Sequence, residues 1–283
     1  MRKVVAAIYL TVAGLGFSAC NIINPKEEIP TYVHIDSFKF SNPNPNLTGS
    51  ANQAITSVWA YIDGNPIGVF DLPATIPVLA NGTQELQLAP GVNNQGLKNY
   101  QLVYPFFAFH KESITATPGK VINITPETQY VPDLKYWIED FETSNSFSKL
   151  SGDTSIRRVT GQDSVLEGGG SGCISLGPGM ATAECLAGIT VYPNTQGYLE
   201  LNYKGNLTFQ VGILVLPSNG TVQYAYLAGI KPKDSWGKFY VNVQQYTTQF
   251  ANPLKFSVII KTSLEEEQSE GYLLLDNIKV ISY

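Results

Sequence analysis

Hydrophobic and polar residues alternate with a period of two along most of this chain. In LTFQVGI (207–213), Leu207, Phe209, Val211 and Ile213 fall on one face and Thr208, Gln210 and Gly212 on the other. KFYVNV (238–243) aligns Phe239, Val241 and Val243, and LKFSVIIK (254–261) aligns Leu254, Phe256, Val258 and Ile260. Successive side chains of a strand point to opposite faces, so this period predicts half-buried β-strands. No stretch after residue 20 sustains the 3.6-residue period of an amphipathic helix. Turn residues such as Lys231-Pro232 punctuate the runs. Short strands with polar turns predict an all-β chain of sandwiches or barrels.

The pattern divides into two sandwiches. SVWAYIDGNPIGVF (57–70) reads as a hairpin turning at Asp63-Gly64-Asn65-Pro66, TQELQLAPG (83–91) alternates again, and KVINITP (120–126) reads as a closing strand. Together they place an immunoglobulin-like β-sandwich at residues 31–130, without the Cys…Trp…Cys spacing of antibody domains. Residues 131–137 form the expected linker, where Pro132 disfavours a helix. A second sandwich, 138–283, opens on IEDFE (138–142) and closes on YLLLDNIKVISY (272–283).

The start of the chain changes the picture. Met1-Arg2-Lys3 is basic, Val4 to Phe17 is apolar and uncharged, and Ser18-Ala19 precede Cys20. That is the layout of a secretory signal, too short for the ~20 residues of a membrane-spanning helix. Ending in Cys, it resembles a bacterial lipoprotein signal. The resemblance implies removal of residues 1–19, acylation of Cys20 and a tether over 20–30. Glu27 and Glu28 in that tether read either as a surface-export signal or as a solvated spacer. Beginning near DFE, passing through GYLELNYKGNLTFQVGI (197–213) and ending on LDNIKV, the second domain resembles a galactose-binding-like or lectin-like jelly roll. The whole order resembles uncharacterised two-domain lipoproteins of Bacteroidota outer membranes. It implies a lipid-anchored outer-membrane location, at the cell surface or the periplasmic face. The jelly-roll resemblance also offers a structural Ca²⁺ where the first and last strands meet, with Glu139, Glu142 and Asp276 as the available carboxylates. The other reading of that strand end is solvated and ion-free, and no other cofactor is expected.

Composition narrows the chemistry. Hydrophobic residues make up 43% of the 283-residue chain and charged residues 14%, and the formal charge of −5 becomes −7 without Arg2 and Lys3. An acidic chain with no basic cluster does not track a phosphate backbone, which excludes nucleic acid as the expected partner. After lipidation two cysteines remain. Cys173 and Cys185 flank ISLGPGMATAE, read as strand, turn, strand, and a disulfide between them is expected in an oxidising compartment. The two histidines, His34 and His110, lie in the first domain, so the jelly roll cannot build a Ser-His-Asp or Cys-His unit. EGGGSG (167–172) is followed by no helix pattern and reads as a turn. IEDFE lacks the spacing of the paired acids that laminarinase-type jelly-roll glycosidases carry. The expectation is therefore a non-catalytic protein.

Two aromatic groups remain. YPFFAFH (104–110) concentrates Tyr104, Phe106, Phe107 and Phe109. It reads either as an exposed partner-binding strip or as core at the domain joint. Tyr224, Tyr226 and Trp236 read either as a sugar platform or as core. The leading functional expectation is a protein-interaction subunit of an outer-membrane assembly, secretion or uptake complex, partnered with a β-barrel. The alternative is a surface carbohydrate-binding lipoprotein, with a glycosidase third.

Overall fold

A computed structural model of the chain describes residues 27–189, 195–217, 221–249 and 253–283. The expected signal and Cys20 lie outside the described residues. The chain is nearly all β. The first half comprises β1 (Thr31–Ile35), β2 (Lys39–Phe40), a one-turn helix α1 (Pro45–Thr48), β3 (Ser57–Ile62), β4 (Asn65–Asp71), β5 (Ala74–Val78), β6 (Gly82–Asn93), β7 (Gln101–Val103), β8 (His110–Ala116), β9 (Val121–Asn123) and β10 (Glu127–Thr128). Its two main sheets run β5–β1–β9 and β4–β3–β6–β7, with β8 also paired to β6, and β2 pairs β10 beside them. Val33, Ile35, Val58, Ala60, Ile76, Leu86, Leu88 and Ile114 fill the space between the two main sheets, as alternation requires. The β3–β4 hairpin turns where the sequence places it: Asp63 (φ 47°) and Gly64 (φ 77°) both adopt the left-handed backbone that a tight two-residue turn demands.

The second half comprises β11 (Lys135–Glu139), β12 (Ser148–Gly152), β13 (Arg157–Val159), β14 (Ser171–Leu176), β15 (Thr182–Ile189), β16 (Gly197–Gly205), β17 (Phe209–Pro217), β18 (Gln223–Ile230), β19 (Lys233–Asn242), a short helix α2 (Gln244–Gln249), β20 (Pro253–Ser263) and β21 (Gly271–Ser282). β11 begins at Lys135, within the segment the sequence assigns to the linker. Two sheets face each other as a jelly-roll sandwich. One runs β13–β14–β21–β16–β19, with β11 also on β21; the other runs β12–β15–β20–β17–β18. Their shared core takes Leu199, Leu201, Phe209, Val211, Ile213, Phe239, Val241, Val258, Ile260, Leu273 and Leu275. The runs read as alternating strands thus place their apolar positions inward.

β21 is buried along nearly its whole length. Such continuous burial, of polar Asp276, Asn277 and Lys279 as well as apolar residues, fits a strand covered on both faces. Leu273 and Leu275 enter the core, then the register against β16 shifts near Asn277, whose φ is +48°. This bulge resets the alternation. Ile278 and Val280 return to the core, while Lys279 and Ile281 turn to the outer side of the sheet, against the N-terminal domain.

Candidate functional site

The domains are joined by an aromatic core. Tyr104, Phe106, Phe107 and Tyr130 of the first domain are buried against Tyr198, Tyr240 and Ile281 of the second. Phe107 lies 4.5 Å from Tyr104, 5.2 Å from Phe40 and 5.4 Å from Tyr130, ring centre to ring centre. This corrects the partner-binding expectation for Tyr104, Phe106 and Phe107, which no outside protein reaches. The segment is a turn rather than a strand, with Phe107 N–H donating to Tyr104 O at 3.2 Å. Consecutive phenylalanines therefore both point inward. Phe109 alone of the four is exposed (44%), and its ring lies parallel to that of Tyr61 at 6.4 Å.

Glu200 of β16 sits fully buried at this joint. Tyr104 donates its hydroxyl to Glu200 Oε1 at 2.6 Å, Tyr130 donates to the same carboxylate at 3.1 Å, and Lys238 Nζ is 2.9 Å from Oε2. Lys279 donates to Ser50 O at 2.9 Å from the same side. Burial works against the Glu200 charge. Lys238 and Lys279, with the Tyr104 hydroxyl, outweigh it and hold the carboxyl below its ordinary value. Burial first, and the Glu200 charge second, push Tyr104, Tyr130 and Tyr240 far up, so they remain donors. One buried carboxylate faces two lysines; burial and the Lys238 charge bring Lys279 down to about 7. The cluster builds a joint, and its polar atoms are turned inward.

The open surface lies on the far side of the sandwich, on the outer face of β12–β15–β20–β17–β18. β18 carries Tyr224 (52% exposed) and Tyr226 (36% exposed). Being two residues apart, they share a side of the strand at a separation of about 7 Å. Tyr226 donates its hydroxyl to Glu184 Oε1 on β15, with β17 and β20 between them. Three strand spacings come to roughly 14 Å, so both side chains lie along the sheet rather than standing off it. Gly212 of β17 faces Tyr226 at a bulge; a Cβ there would strike the Ala225 carbonyl and meet Ile259 Cγ1 at 3.0 Å. Only glycine lets the edge strand close in. Leu214 and Ile259, which alternation turns to this side, are buried and give the face an apolar floor.

Glu184 is held from its other oxygen by Ser151 Oγ at 2.7 Å, and Lys261 Nζ stands 5.5 Å from the Tyr226 ring centre. Burial opposes the Glu184 charge, but the Tyr226 and Ser151 hydroxyls and Lys261 overcome it and lower its pKa. The Tyr226 phenol is pushed up by burial and by its bond to Glu184. The result is a ring reaching along the sheet beside a fixed carboxylate, a lysine and a second exposed ring. Alternation alone could have turned Glu184 outward. Its meeting with Tyr226 depends on strand order, which no local pattern encodes.

The remaining candidates separate. Trp236 is half-buried on β19, in the opposite sheet, so it does not share a platform with Tyr224 and Tyr226. Cys173 and Cys185 are free, which corrects the expected disulfide. β14 pairs with β13 and β21, whereas β15 pairs with β12 and β20, so the Gly-Pro-Gly segment crosses between sheets and forms no hairpin. Cys185 joins Ala183 and Ala187 in the core, while Cys173 alternates with core residues Ile174 and Leu176 and faces outward. Burial raises both thiol pKa values.

The carboxylates offered for Ca²⁺ accept hydrogen bonds from neighbouring groups. Glu139 accepts from Phe141 N (2.9 Å) and Ser146 N (2.6 Å), and Glu142 from Gly169 N (2.6 Å). Asp276 accepts from Ser171 Oγ (2.6 Å) and Asn277 N (2.7 Å). Among the described residues no three His, Cys, Asp or Glu side chains are placed to hold a metal ion, so Glu139, Glu142 and Asp276 do not form the expected set. No described helix is long and apolar enough to cross a membrane.

No protein-family model matches the chain, and no curated protein matches it. Solved structures do. The chain is similar to the CBM22-1 xylan-binding domain of Paenibacillus barcinonensis Xyn10C, with 14% identity over 52% of this chain and 92% of that one and a TM-score of 0.41. The CBM22-2 xylan-binding domain of the same protein gives 10% identity, 52% and 99% coverage, and a TM-score of 0.42. The enzymatically active domain of bacteriophage CBA120 tailspike protein 4 gives 14%, 50%, 20% and 0.39.

Proposed function

We propose that this chain is a non-catalytic carbohydrate-binding protein, and that the outer face of β12–β15–β20–β17–β18 holds the glycan. The observation that carries the reading is Tyr226, reaching along the sheet to Glu184, beside the exposed Tyr224. A sugar ring has an apolar C–H face and a rim of hydroxyls. A tyrosine ring offers an apolar surface for the first, and Glu184, Ser151 and Lys261 offer acceptors and donors for the second. Glu184 is the one carboxylate on the described strands of this sheet, whereas glycoside hydrolysis uses a pair.

Affinity electrophoresis through gels containing xylan, β-glucan, mannan or galactan tests the proposal. Tyr226→Ala and Tyr224→Ala are each expected to weaken binding about tenfold or more, equivalent to ~1.4 kcal/mol. Tyr224→Ala should leave stability within about 0.5 kcal/mol, as for exposed positions generally, whereas Tyr226→Ala also removes the hydrogen bond to the buried Glu184 and should cost about 1–3 kcal/mol. Tyr226→Phe should keep most of the affinity because the ring remains. Unretarded migration of the native protein in every gel would remove the reading.

The proposal includes an outer-membrane anchor at Cys20, supported by the lipoprotein-like FSAC (17–20). Cys20→Ala is expected to move the protein from the membrane fraction to the soluble one. A Cys20→Ala protein that still sediments with membranes would refute the anchor and leave the glycan face untouched.

A further inference from the structure

A cleft of about 390 Å³ opens where the two domains meet at the edge of the sandwich. Asn94, Gln95 and Tyr100 wall it from the first domain, and Asn242, Gln245 and Thr248 from the second. Neither domain has this cleft alone. Among the described residues no Lys, Arg, Asp or Glu lines it. Its volume falls within the range of small-molecule sites, about 300–1,000 Å³.

The walls are held in place before any ligand arrives. Gln95 N donates to Tyr240 O at 2.8 Å, and Asn242 N donates to Asn94 Oδ1 at 3.3 Å. Asn242 in turn donates from Nδ2 to Tyr198 Oη at 3.3 Å and accepts from Gln244 N at 2.8 Å. Gln95, at φ +55°, donates from Nε2 to Leu227 O at 3.4 Å. Each wall is thus pinned to the other domain, and a preorganised site spends little binding energy on ordering itself.

The lining chemistry selects the ligand. An uncharged side-chain amide carries both donors and an acceptor, and a sugar hydroxyl likewise both donates and accepts. Tyr100, 49% exposed, adds a ring at the cleft wall. A carboxylated or phosphorylated ligand would surrender its hydration to a lining without a cation, a loss that only pairing repays. The Gln95–Leu227 bond also sets the cleft beside the residue that follows Tyr226 on β18.

We propose that this interdomain cleft is a second carbohydrate subsite, specific for a neutral sugar unit, used together with the tyrosine face. The proposal rests on the glycan-binding reading. It goes beyond that reading by assigning the first domain a direct part in recognition and by specifying an uncharged ligand.

Titration calorimetry on the whole protein tests it, with neutral hexaoses of xylose, glucose, mannose and galactose and with hexagalacturonate as the acidic probe. Tyr100→Ala and Gln245→Ala replace exposed side chains. Each is expected to weaken the bound neutral hexaose threefold or more with an unchanged melting temperature, and hexagalacturonate should bind at least tenfold more weakly than that hexaose. If Tyr226→Ala weakens the hexaose but both cleft variants bind like the native protein, the cleft proposal is overturned and the tyrosine face stands. If the cleft variants lose affinity and Tyr226→Ala does not, the cleft stands and the face falls. Tighter binding of hexagalacturonate than of every neutral hexaose overturns the cleft assignment. Failure of all neutral hexaoses to bind overturns both.

Discussion

Replacing Glu200 by Gln is expected to cost about 3–5 kcal/mol of stability, the usual penalty for removing one partner of a buried ion pair. The change leaves Lys238 without its counter-ion in a dry joint and weakens the hydrogen bonds from Tyr104 and Tyr130. At about 2–4 °C per kcal/mol for a chain of this size, the melting temperature should fall by roughly 10 °C. Thermal and urea denaturation measure it, and a loss below 1 kcal/mol would contradict the joint described above. The pH dependence should agree in sign. Glu200 has a lowered pKa in the fold, so its contribution is present above the ordinary carboxylate range and is lost as pH falls through the folded value. Lys279 is also lowered, to about 7, so its contribution is present above the ordinary lysine range and is lost as pH falls toward 7. Exchanging Glu200, Lys238 and Lys279 together for apolar residues of similar volume should be far milder than Glu200→Gln, because no charge is then stranded.

Phe107→Ala should cost a similar amount, about 3–5 kcal/mol, the range for truncating a buried aromatic. Its ring is in contact with three others and has no exposed edge. Phe109→Ala, two residues away on the surface, should change stability by no more than about 0.5 kcal/mol. Urea denaturation of the two variants side by side gives the comparison. Equal losses would mean that the YPFFAFH segment is not divided between joint and surface as described. Glycan retention should be the same for Phe109→Ala as for the native protein, since Phe109 lies in the first domain and Tyr224 and Tyr226 on β18 of the second.

Much of the fold was legible in local pattern. The period-two runs at 207–213 and 238–243 place their apolar sides in the core, and the Asp63-Gly64 turn closes the first hairpin. What local pattern could not supply is which strands become neighbours. ISLGPGMATAE has the look of a hairpin, yet its two strands belong to facing sheets, and the cysteines part with them. In YPFFAFH, strand alternation would put adjacent phenylalanines on opposite faces, but a turn sends them the same way. Glu200 in GYLELNY resembles an ordinary outward-facing acid of a half-exposed strand, and only the docked first domain buries it. Tyr224 and Tyr226 were visible as residues; the carboxylate that fixes one of them comes from three strands away.

The bulge at Asn277 behaves like a frameshift written in three dimensions. Upstream of it the odd-numbered leucines Leu273 and Leu275 point into the jelly roll, and downstream the even-numbered Ile278 and Val280 do. Straightening the bulge without removing a residue would keep the composition of β21 intact while exchanging inside for outside over its last five positions. The lysine that reaches Ser50 would be driven into the sandwich, and Ile278 and Val280 would be presented to the neighbouring domain. Deleting Asn277 removes the bulge and its offset together and should leave Ile278 and Val280 inward, whereas inserting one residue beside it should turn them outward.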